Sequence, residues 1–113
     1  MKTKLTPEIR EKVILRDANL CRYCMEGWDL EIHHRQGRGG SNPNRLSNLL
    51  TLCRADHRYA TEHPQWAYEN GLSVRRTGLD EPDEVPFRDK YGLLWALTDE
   101  GDLFRLPIGG RAA

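Results

Sequence analysis

The chain has 113 residues, 38% of them hydrophobic and 30% charged, with a mean hydropathy of −0.72. That length bounds it to one domain's worth of chain with a modest core, of the size that often needs a metal, a disulfide or a partner chain as a staple. Lys+Arg and Asp+Glu both number 17, so the formal net charge is zero and a uniformly basic nucleic-acid coat protein is excluded. The zero is an average over a split. Residues 1–76 carry 13 Lys/Arg against 9 Asp/Glu, or +4, and residues 77–113 carry 4 against 8, or −4. All four histidines, His33, His34, His57 and His63, fall in the basic part. The pattern is that of a basic functional core followed by an acidic tail.

No apolar run follows the N-terminal lysines as a signal peptide would require, and the longest apolar run, Leu93 to Leu97, is too short to span a bilayer. A cytoplasmic protein without a membrane partner is expected. Three cysteines in a reducing compartment favour metal binding over disulfides.

Thr6-Pro7-Glu8 is a helix start, with a Thr cap, Pro at the first helical position and an acid in the first turn. Ile9, Val13 and Ile14 give that helix an apolar stripe, and Asp17-Ala18-Asn19 ends it. Asp29 to His33 alternates and predicts a half-buried strand. Arg35 to Arg45, rich in Gly, Ser, Asn and Pro, predicts a polar loop, and Leu46 to Cys53 a second strand. A helix is expected from Cys53–Asp56 to about Glu62, and a shorter one from Pro64 to Asn70 that stops at Gly71. Residues 77–90 read as an acidic linker. Residues 91–113 read as a β-hairpin with a Gly101 turn and a frayed tail.

The informative segment runs from Glu31 to His57. Adjacent strand residues point to opposite faces, so His33 and His34 cannot do the same job. One can ligate a metal while the other stays free as a base. His57, on the following helix, can return to the same point, and Asn48 lies between. Glu31-Ile-His-His-Arg-Gln-Gly-Arg-Gly-Gly, then Asn48-Leu-Leu-Thr-Leu-Cys, then Asp56-His57 resembles the HNH (His-Asn-His) endonucleases, which share a ββα-metal fold. The form is especially similar to small HNH proteins of actinobacteriophages, over about residues 21–71.

The resemblance implies His33 and His57 as ligands of one divalent ion, Mg²⁺ or Mn²⁺, or Zn²⁺ or Ni²⁺ in the same place. It implies His34 as the general base for the attacking water, and Asn48 as the residue that closes the loop and helps hold that base. Such an ion stabilises the leaving oxygen, and a histidine with pKa near ~6.5 suits proton abstraction. The colicin nucleases place a further metal histidine four residues after the helical one; here that position is Thr61. His63, six residues on, lies about 240° around the helix from His57 and is read as a surface or capping residue.

Cys21-x-x-Cys24 is half of a zinc site. Many HNH nucleases complete it with a second Cys-x-x-Cys, which here would fall at Cys53 and Asp56. A structural zinc on Cys21, Cys24, Cys53 and Asp56 and a metal-free knuckle both stay open. So does a Cys₃His site using His57, which would make the chain an inert zinc DNA-binding module. Arg35, Arg38 and Arg58 are the expected substrate contacts, beside Arg45 and Arg54, because guanidinium forks match phosphate oxygens. Gly37, Gly39 and Gly40 allow close approach of a backbone. Trp28, Trp66 and Tyr68 are expected in packing rather than in base stacking.

The expectation is an α+β protein: an HNH domain over residues 1–76 built on a ββα-metal core, with an N-terminal helix and a C-terminal hairpin. Its function would be metal-dependent hydrolysis of DNA phosphodiesters, leaving a 5′-phosphate and a 3′-hydroxyl. The phage resemblance implies genome processing or packaging beside terminase and portal proteins in the host cytoplasm. An interaction protein of a packaging complex is the further alternative.

Overall fold

The computed structural model describes residues 4–37, 42–76 and 80–107. Residues 1–3, 38–41, 77–79 and 108–113 lie outside them, Arg38, Gly39 and Gly40 included. Helix α1 (Pro7–Arg16) begins as the sequence predicts: the Thr6 hydroxyl accepts from the Ile9 amide at 3.1 Å. It ends at Asp17, after which Ala18 and Asn19 adopt left-handed backbone. Asp17 is fully buried. Its carboxylate accepts from Arg16 at 2.8 and 3.0 Å and from the Thr51 amide at 2.9 Å. Arg16 donates onward to the Leu46 and Leu49 carbonyls at 2.8 and 2.6 Å. A buried ion pair with every partner satisfied thereby fixes α1 to the central strand.

That strand, β2 (Leu49–Cys53), pairs antiparallel with β1 (Leu30–His34), with His33 opposite Leu50 and His34 opposite Leu49. All five residues of β2 are buried, so it is the spine of the domain. The expected strand from Leu46 is shorter than its apolar run suggests. Leu46–Asn48 form a single 3₁₀ turn, because the Asn48 amide nitrogen bonds back to the Arg45 carbonyl at 2.9 Å. Helix α2 (Arg54–Glu62) follows with no loop and packs on both strands. Helix α3 (Pro64–Glu69) follows at once, with His63 shared between the ends.

Gly71 ends α3 at φ +71°, and a Cβ there would stand 2.0 Å from the Pro86 carbonyl oxygen. Only glycine satisfies both the backbone angle and the approach. Beyond it, residues 72–76 run beside residues 33–37. His33 meets the Leu72 carbonyl, the Val74 amide donates to the Arg35 carbonyl at 2.8 Å, and the Gln36 side chain donates to the Arg75 carbonyl at 3.1 Å. This strip lies against the end of β1 and the residues just beyond it.

The C-terminal part contains the expected hairpin, turning at Gly101, and adds a strand ahead of it. It is a three-stranded antiparallel sheet, β3 (Phe87–Arg88), β4 (Leu94–Leu97) and β5 (Leu103–Arg105). Buried Asp89 builds the β3–β4 turn by accepting from the Tyr91 and Leu93 amides and from the Trp95 indole. Much of the stretch that reads as a linker is docked: Pro82 is buried in a 3₁₀ turn (Pro82–Glu84), and Phe87 opens β3. Phe87 and Leu97 sit in one core with Cys21, Leu50, Leu52, Ala60, Ala67 and Leu72. The described residues form an α+β fold with two small antiparallel sheets. No helix among the described residues is long and apolar enough to cross a membrane.

Candidate functional site

Two centres flank the β1–β2 hairpin. The first is made by the turn after α1 and the start of α2. Cys21, Cys24, Cys53 and Asp56 place their ligand atoms within 4.8 Å of one another, close enough to hold a metal ion. The Cys24 and Cys53 sulfurs are 3.8 Å apart, and Cys21 Sγ is 3.2 Å from Asp56 Oδ2. Thiolates about 2.3 Å from a tetrahedral ion stand about 3.8 Å apart, so the sulfur spacing fits such a site. Local structure aims the four donors. The Cys24 amide donates to Cys21 Sγ and the Asp56 amide to Cys53 Sγ, each at 3.4 Å, so both pairs wrap a backbone turn around their sulfur. Burial pushes the Cys24 and Cys53 thiols up, so without an ion they stay protonated.

His57 does not join this cluster. Asp56 and His57 project about 100° apart on α2, and the structure sends Asp56 to the cysteines and His57 to β1. The Cys₃His arrangement is thus not the one the fold makes.

The second centre is imidazole. His33 is buried at the edge of β1, and its Nε2 lies 2.7 Å from the Leu72 carbonyl. A carbonyl only accepts, so Nε2 carries the hydrogen and Nδ1 keeps its lone pair. Burial pushes the His33 pKa down to about 4, with the Leu72 carbonyl pulling the other way, so the ring is neutral in neutral solution. His57 Nδ1 lies 2.7 Å from Glu31 Oε1, an acceptor, so Nδ1 carries a hydrogen and Nε2 is the nitrogen not engaged by Glu31. That contact is the main reason the Glu31 carboxyl is held below its usual range; Arg54, 3.2 Å from the other oxygen, adds to it. The two rings meet edge to face, centres 5.1 Å apart. Each ring is thus pinned by a partner on its far nitrogen.

His34 points to the opposite face, where its Nε2 is 2.8 Å from Asn44 Oδ1. Asn48 is buried and clamps both ends of the intervening loop. Its Oδ1 accepts from the Gln36 amide at 2.7 Å, and its Nδ2 donates to the Gln36 and Pro43 carbonyls at 3.1 and 2.8 Å.

The expected phosphate contacts divide. Arg58 is exposed beside His57, in an open depression with Glu31, Arg54, Thr61 and Glu62. Arg38 lies outside the described residues. Arg35 is a correction: it is 2% exposed and cannot reach a substrate. Its Nε donates to the Gly71 carbonyl at 3.1 Å, and its Nη atoms donate to the carbonyls of Gly71, Ser47, Pro82 and Val85. Burial pushes its pKa down to about 9, so it remains a cation at neutral pH. Arg45 is likewise engaged, by Glu81, Asp83 and Asp99. Trp28, expected in packing, is 65% exposed, whereas Trp66 packs edge-on against Tyr23 and Tyr59. His63 caps α2 as expected, its Nδ1 3.0 Å from the Tyr59 carbonyl.

Sequence reasoning assigns no role to Glu31, Asn44 or the Leu72 carbonyl. Glu31 was findable, since it shares a strand face with His33. The other two depend on tertiary placement. No family model, curated protein or solved structure matches the chain.

Proposed function

We propose that this protein is a metal-dependent endonuclease of the HNH kind, with β1, β2 and α2 as its ββα-metal core and DNA as its substrate. The observation that carries the reading is the orientation of three rings. Leu72 engages His33 Nε2 and Glu31 engages His57 Nδ1, so His33 Nδ1 and His57 Nε2 are the nitrogens left to an ion on rings 5.1 Å apart, with His34 adjacent in sequence on the other face. His33 and His57 would hold one divalent ion, Mg²⁺ or Mn²⁺, which when bound supplies charge stabilisation to the phosphoryl and leaving oxygens.

The chain's own groups do the rest. His34 takes a proton from water as the water oxygen bonds to phosphorus. The bond to the 3′ oxygen breaks, and that oxygen gains a proton from solvent. General-base help of this kind is worth ~10²–10⁴-fold. Arg58, exposed beside His57, neutralises phosphate charge. In the cysteine cluster, three thiols and a carboxylate suit zinc better than the hard cations, and zinc there would staple the α1–β1 turn to α2. Work on a phage genome, beside terminase and portal proteins, is the setting the resemblance suggests.

A plasmid-nicking assay with Mg²⁺ or Mn²⁺ tests the reading. The wild type nicks, and His34→Ala loses at least ~10²-fold while staying folded. No cleavage by the wild type with any divalent ion sinks the nuclease. Undiminished cleavage by His34→Ala sinks the assigned base.

A further inference from the structure

The nitrogen of His34 that faces the reaction is decided by a residue ten positions away. His34 Nε2 lies 2.8 Å from Asn44 Oδ1. Taken alone, an amide opposite an imidazole is ambiguous, because turning the amide over would let the ring accept instead of donate. Asn44 is not free to turn over. Its Nδ2 donates to the Lys4 carbonyl at 3.2 Å, just ahead of α1, and a carbonyl can only accept. With the NH₂ on Lys4, the amide oxygen faces His34, and His34 Nε2 carries the hydrogen.

The loop that delivers Asn44 is closed by Asn48, which grips Gln36 on one side and Pro43 on the other. Asn48 makes none of its hydrogen bonds to His34; it fixes the loop, and the loop's Asn44 fixes the ring. On this basis, and resting on the nuclease reading above, we propose that Asn44 is the positioning residue of the general base. It locks His34 in the Nε2–H form and leaves Nδ1 as the nitrogen that takes the proton from water. The Lys4 carbonyl is the anchor that makes the amide's orientation unambiguous. An amide suits this place better than a carboxylate, since it accepts a hydrogen bond without adding a negative charge beside a phosphate.

The test reads the ring directly, on the full chain and without added divalent ions. Long-range ¹H–¹⁵N spectra at about pH 8 distinguish the two neutral forms of a histidine. The wild type shows His34 as a single Nε2–H form with that proton protected from exchange. Asn44→Leu loses the protection and mixes the two forms, whereas Asn44→Asp, which keeps an oxygen there, retains the Nε2–H form. In the nicking assay Asn44→Leu loses about 10–100-fold in kcat with KM little changed, part of the ~10²–10⁴-fold that a positioned base supplies, and Asn44→Asp recovers part of the loss. An Nδ1–H ring in the wild type overturns the inference, and that measurement needs no variant to fold. Ring signals unchanged in a folded Asn44→Leu protein overturn it as well. Absence of DNA cleavage with an Nε2–H ring in place would instead retire the nuclease and leave the Asn44–His34 relation standing.

Discussion

Glu31 holds His57 by a 2.7 Å hydrogen bond from Nδ1 to Oε1, across the gap between β1 and α2. The carboxylate sits two residues before His33 on the same strand face, so one face of β1 supplies both a ring and the group that orients its partner ring. Removing such an orienting group costs about 10–100-fold in metal affinity or activity. Glu31→Ala therefore lowers divalent-ion-dependent nicking on that scale. Glu31 is half exposed and its contacts are surface ones, so unfolding free energy changes by no more than about 1 kcal/mol. Nicking rate and urea unfolding measured on one preparation check both halves; wild-type activity in a folded Glu31→Ala protein removes Glu31 from the site.

Arg35 gives the reverse pattern. Its guanidinium joins β1 to the carbonyls of Gly71, Ser47, Pro82 and Val85, and so binds the acidic stretch to the core. Arg35→Met leaves several buried carbonyls without donors, each costing about 1–3 kcal/mol. A loss of at least about 3 kcal/mol is expected in chemical denaturation, severe for a domain of this size. For the same reason a chain cut after Arg76 loses Phe87 and Leu97 from the core and unfolds without cooperativity. A loss below about 1 kcal/mol for Arg35→Met would show that the network is incidental.

What could be read from the sequence follows from how local its cause is. The Thr6 cap of α1, the Pro64 start of α3, the strand at β1 and the stop at Gly71 depend on a few neighbouring residues, and all four are where the pattern puts them. Within each pair, Cys21 with Cys24 and Cys53 with Asp56, the two-residue spacer turns the backbone around one sulfur, which is local; that the two pairs meet depends on tertiary placement. The roles of Arg35 and Arg45 were hidden. Nothing near them in sequence says that one would find carbonyls from three separate segments and the other three carboxylates from beyond residue 80. β3 escaped for a related reason, since two residues among acids and prolines carry no period.

The cysteine cluster predicts a measurable metal content. Purified protein should carry one zinc per chain, and a chelator in excess should lower its melting temperature. An ion present at about 100 times its dissociation constant contributes about 2.7 kcal/mol, which sets the scale of the drop. Asp56→Ala removes one donor and weakens binding. Asp56→Cys supplies a thiolate in its place and tightens it, and titration against a chromophoric chelator orders the three proteins. Zinc-free protein that ignores the chelator would make the cluster a packing feature only.

The split in charge seen along the sequence closes on itself in the fold, and it leaves an acid-side signature. Arg45 lies 2.8 Å from Asp99 and 3.2 Å from Asp83, with Glu81 opposite. Hydrogen bonds from Arg45, helped by Ser47, hold the Asp99 carboxyl below its usual range. A carboxyl whose folded pKa is below its unfolded value, ~3.9, stabilises the fold at higher pH. That stabilisation begins to fade as pH falls toward the unfolded value and is gone below the folded one. Asp99 is 38% exposed, so solvent screening keeps its worth within about 1 kcal/mol. Asp99→Asn is therefore less stable than the wild type by up to that amount at neutral pH, and the two converge in strong acid. Urea unfolding at a series of pH values reads the gap directly. A gap that stays constant or widens on acidification would mean that Asp99 acts through packing rather than through its charge.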